Sequence, residues 1–213
     1  MVRMIVDDFI TAFEDPDYGK QNPFLVLASA ALELKKAGLA YDRLAPTWER
    51  MRDERRLRRG IFKRKPIHLI KDGEQDITTS HDEWLGLAAL SMLFDNGETA
   101  REILDEGLTF GLWLTGKNEK GYWIDSEWFT PWRPEYRAYM KIAKNRRITK
   151  LENWFMKLNH KSKTFNVKRV QFLMLESVGY NQAYIAKCLE NLGTKYRGWY
   201  GKNPLFLRLW GKQ

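Results

Sequence analysis

Cysteine is almost absent from this chain. Cys188 is the only one in 213 residues, so no intramolecular disulfide and no cysteine-rich zinc site can form. Histidine is nearly as scarce. His68, His81 and His160 lie at no ligand spacing with one another or with a carboxylate pair on one helix, so no metal and no cofactor is expected. Long apolar runs are missing too. The longest, Phe24 to Leu32, falls far short of the ~20 residues that cross a bilayer, and no membrane partner is expected. Asp7 and Asp8 stand where a secretory signal would carry its apolar stretch, so the chain is expected in the cytoplasm at synthesis. No linker rich in Pro, Gly or Ser divides the sequence, and residues 1–213 read as a single helical domain large enough for its own core.

What is present is a charge pattern. The chain carries a net +9, unevenly spread. Arg43 to Lys71 holds 11 Lys/Arg against 3 Asp/Glu, Asp72 to Glu127 holds 3 against 13, and Arg133 to Gln171 holds 12 against 2. A uniformly basic chain would point to nucleic acid. A basic, acidic, basic order also suits two basic surfaces that flank an acidic cleft, or segments that pair with one another.

Helix signals dominate the rest. Asn22-Pro23 is a strong start, and Gly38 is a strong stop for a helix so apolar on all sides that it should be buried. Pro46 opens a second helix that becomes basic at Arg55-Arg56-Leu57-Arg58-Arg59 and ends at Gly60, after which Ile61 to Ile70 is β-flavoured. Ser80-His81-Asp82-Glu83 reads as a capping box in front of a helical hairpin that turns at Asp95-Asn96-Gly97. Pro134 starts one long helix to about His160, and a further hairpin turns at Gly179. The expected fold is mainly α, an array of αα-hairpins with little or no β-sheet.

Candidate chemistry concentrates between Thr79 and Trp132. Asp82 sits in a first helical turn and suits acid/base work, while Glu83 is already used by the box. Hydrolysis of a glycosidic bond needs a second carboxyl across the scissile bond, and Asp76, Asp125 and Glu127 are the partners at hand, with Asp125 or Glu127 preferred. Trp84, Trp123, Trp128 and Trp132 offer flat apolar faces for sugar rings, and His81 offers a polar contact. Against this, acids in a first turn complement the helix dipole, and tryptophans pack loops onto helices. For nucleic acid the candidates are Arg55, Arg56, Arg58 and Arg59. Gln182 to Leu189 is similar to the first helix of a helix-turn-helix unit, but the segment after Gly193 contains Gly198 and lacks an apolar anchor.

Three pieces, Asn22-Pro23-Phe24-Leu25, Thr79 to Leu87 and Gly198 to Pro204, resemble uncharacterised tailed-phage proteins with an α/α-hairpin architecture akin to the six-hairpin glycosidases. That resemblance implies a partial α/α toroid, since the chain is too short for a full ring, with Asp82 facing its cavity. It also implies a virion-associated role for the protein. Two expectations follow: a carbohydrate-directed protein using paired carboxylates, or a protein that binds nucleic acid or a phage or host protein through its basic helices and aromatic anchors.

Overall fold

The computed structural model describes residues 2–15, 17–19, 22–70, 81–110, 134–162, 165–192 and 202–211. Among them the fold is mainly α, with ten helices and one two-stranded ribbon. The helices are α1 (Val2–Ala12), α2 (Pro23–Lys36), α3 (Ala45–Arg55), α4 (His81–Phe94), α5 (Glu98–Phe110), α6 (Pro134–Ala143), α7 (Lys150–Ser162), α8 (Phe165–Ser177), α9 (Gln182–Leu192) and α10 (Pro204–Leu209). Strands β1 (Arg56–Arg58) and β2 (Ile61–Phe62) pair antiparallel.

The centre of the core is the pair α2 and α4. As its composition requires, α2 is buried from Pro23 through Leu34. It packs against α4, α8 and α10, and α4 in turn meets α5, α6 and α8. The two central helices touch at backbone distance. A Cβ on Gly86 would lie 2.5 Å from the Leu25 nitrogen and the Phe24 carbonyl carbon, so only glycine fits there. The hairpin turn between α4 and α5 is equally tight: Gly97, at φ 77°, lies against the end of α6, where a Cβ would meet the Ala143 oxygen at 2.5 Å.

Helix ends follow the chemistry of their C-terminal residues. Gly38 and Gly179 take left-handed φ, and the amides of Leu39 and Tyr180 donate back to Leu34 and Leu175. Two sequence expectations fail at such points. The single helix from Pro134 to His160 is in fact α6 and α7. Asn145 adopts φ 54° and the Arg146 amide donates to the Lys141 carbonyl at 2.7 Å, which closes α6. Thr149 then opens α7 with a true capping box: its amide donates to Glu152 at 2.7 Å, and the Glu152 amide donates to its hydroxyl at 3.2 Å. The basic helix expected as far as Gly60 stops at Arg55, because Ile61 and Phe62 are buried and the chain must fold back at Gly60 to place them in the core.

Gly86→Ala forces an overpacked methyl into two backbones and is expected to cost about 3 kcal/mol or more. At this chain length that is a drop of roughly 6–12 °C in Tm, readable by thermal denaturation.

Candidate functional site

The acidic start of α4 is where sequence and structure diverge most. Glu83 was expected to close a capping box with Ser80, which lies outside the described residues. Glu83 itself is fully buried and turns both carboxyl oxygens to the start of α2, accepting from the Phe24 amide at 3.1 Å and the Leu25 amide at 3.4 Å. Asn22, the expected cap of α2, makes no side-chain cap bond. The reason lies one turn along α4. With glycine at position 86, α4 comes close enough for Glu83 to reach amides that no helical carbonyl can serve. Burial pushes its carboxyl up to about 8, against the opposing pull of the two amides and of Arg64 and Arg55. Arg55 is itself buried, with its Nε donating to the Arg64 carbonyl at 3.1 Å. This carboxyl joins helices and is closed to any substrate.

The structure describes only some of the other sequence candidates. Asp82 is half-buried in the first turn of α4. Trp84 is 3% exposed and belongs to the core, so it presents no open face to a sugar. His81 begins α4. Asp125, Glu127, Trp123, Trp128 and Trp132 lie outside the described residues, as does the geometry that would pair them with Asp82. In the basic run, Arg55 is buried beside Glu54, Arg56 pairs with Glu102 at 2.6 Å and Arg59 with Asp105 at 3.6 Å. Arg58 lies in β1. Acids of α5 thus pair with two of these four arginines, and a charge already paired releases few counterions from a polyanion.

A small pocket between α2, α8 and α10 is lined by Ser29, Asn166, Phe206 and the buried pair of Glu33 with Arg169, whose Nη2 to Oε2 distance is 2.8 Å. It has room for about one water, and Asn166 Oδ1 is a ready acceptor for one. Among the described residues no group of His, Cys, Asp or Glu is arranged to hold a metal.

The exposed feature that stands out is α7. Glu152 is 5% exposed; besides its cap role it pairs with Lys141 at 2.7 Å and Arg137 at 3.4 Å on α6. Burial works against its charge, but Lys141 and the Thr149 amide prevail and hold the carboxyl below its usual range. Met156, one turn on, is fully buried. These two residues fix the inner face of α7, and the opposite face carries Leu151, Trp154 and Leu158 at 60%, 55% and 41% exposure. The helical spacing of these apolar residues was legible in the sequence, as part of one long helix from Pro134.

Family models, curated proteins and solved structures were each compared with this chain, and none matches.

Two predictions test these roles. For Glu83 the folded value lies above the ordinary 4.5, so its stabilising contribution is complete below that value and is lost as pH rises through about 8. Tm is expected to fall between pH 5 and 9, and Glu83→Gln, which keeps an acceptor and cannot ionise, is expected to flatten that fall. Glu152→Ala removes a cap and two ion pairs at a buried site and is expected to cost about 2–3 kcal/mol, measured by urea denaturation at pH 7.

Proposed function

We propose that this protein is a helical interaction module that docks a partner on the outward face of α7. The observation that carries this reading is the stripe of Leu151, Trp154 and Leu158, three large apolar side chains left in water on one helix face. They recur at i, i+3 and i+7, the spacing of one face. Single exposed apolar residues are ordinary, but a contiguous stripe centred on a tryptophan is the make-up of an interface anchor. The residues that aim it outward, Thr149, Glu152 and Met156, are themselves well fixed. The stripe is therefore presented on a supported helix.

The nucleic-acid alternative draws less support, since Arg56 and Arg59 already face acids of α5.

A triple variant, Leu151→Ser, Trp154→Ser and Leu158→Ser, separates docking from folding. If the stripe serves a partner, the variant keeps its Tm within about 2 °C, because exposed positions contribute within about 0.5 kcal/mol each. It also loses much of the wild type's binding of an apolar-surface dye. A fall in Tm of roughly 6 °C or more would show that the stripe holds the chain's own fold, and the docking reading would be dropped.

A further inference from the structure

The border of the stripe carries information about what covers it. Lys150 and Lys157 are both exposed. At 100° per residue they fall on one row of α7, roughly 80° round the helix from the centre of the apolar stripe. Arg146 and Arg147, also exposed, precede the helix in the turn from α6. Among the described residues, Arg146, Arg147 and Lys150 make no ion pair. Lys157 lies 5.9 Å from the Tyr184 ring, a contact that leaves its charge uncompensated. The only acid on α7 is Glu152, which is turned inward to Lys141 and Arg137. The outward side of α7 therefore carries an apolar stripe with a central indole, bordered on the helix by Lys150 and Lys157, with Arg146 and Arg147 in the turn before it, and α7 itself brings no acid to that side.

We infer that this face lies on an anionic lipid surface, with Trp154 and the two leucines in the headgroup boundary and the four cations against acidic headgroups. The inference rests on the docking reading above and names its partner. Three features favour this occupant. A second copy of the chain is disfavoured, because an antiparallel α7 pair would bring Lys150 of one copy beside Lys157 of the other. The stripe lies on a convex helix surface, which matches a plane that side chains enter. The order of indole and leucines beside a lysine row is that of helices lying in the bilayer interface, where each basic residue near an acidic leaflet adds about 1 kcal/mol. The expectation of no membrane partner rested on the lack of a spanning segment; lying on a lipid surface needs none, and no helix among the described residues is long and apolar enough to cross a membrane.

The test is co-sedimentation of the full chain with vesicles of phosphatidylcholine alone and of phosphatidylcholine with about 30% phosphatidylserine. The expected result is binding to the anionic vesicles at least tenfold stronger than to neutral ones, weakened by raising salt from about 0.05 to 0.5 M. Arg146→Glu with Arg147→Glu and Lys150→Glu is expected to remove the preference, and the triple serine variant to remove binding. Equal binding to both vesicles would overturn the inference, since the cations would then play no part. Absence of binding to either would overturn it too. So would capture by an acidic Leu/Glu helical peptide without vesicle binding, which would assign the face to an acidic protein. In each of these cases a triple serine variant of unchanged Tm and reduced dye binding leaves the docking reading standing. A destabilised variant removes both.

Discussion

The fold depends on a carboxyl group placed at the end of someone else's helix. The first amides of α2 have no carbonyl partners within their own helix, and α2 is buried too completely for water to serve them. Glu83 supplies the acceptor from α4. Gly86 makes this possible by letting the two backbones approach, and it does so one turn after Glu83, on the same face. Position 83 must accept hydrogen bonds and position 86 must have no side chain. These two requirements fix the register and the crossing of the two central helices, and the remaining helices pack around that pair.

Electrostatics then arranges the periphery. The order basic, acidic, basic along the chain is realised among the described residues as pairing between segments. Arg56 and Arg59 meet Glu102 and Asp105 of α5, and Lys144 meets Glu98. Most such pairs are partly exposed and contribute little each. Their effect is on what remains. With Arg56 and Arg59 held by acids of α5, Arg146, Arg147, Lys150 and Lys157 remain, among the described residues, without an acid partner near α7, beside a run of large apolar side chains left in water.

Much of the helical framework was readable from local signals. Pro23, Gly38, the Asp95-Asn96-Gly97 turn and Gly179 each mark a helix end where one was expected, because their backbone preferences act locally. The α6–α7 break was also written locally, in Asn145 and in Thr149-x-x-Glu152, but continuous apolar spacing on both sides masked it. The role of Glu83 was not readable. A carboxylate three residues after a serine looks like a local cap, and its bonds to a helix start 59 residues away have no signal in the local sequence. Trp84 and Trp154 show the same limit. Both are tryptophans on helices, one 3% and the other 55% exposed, and which face is buried is decided by partners distant in sequence.

The distance between Phe24 and Glu83 also bears on how the chain comes into being. At about 5–20 residues per second, roughly 3 to 12 seconds separate the synthesis of α2 from that of the acid that completes it. During that interval the most apolar helix of the protein has emerged without its principal partner, and its first turn has no acceptor but water. The α2–α4 contact closes a long loop, so its entropy cost falls due before the burial that repays it. The same crossing that gives the finished protein its centre thus makes the nascent chain wait, exposed, for residue 86.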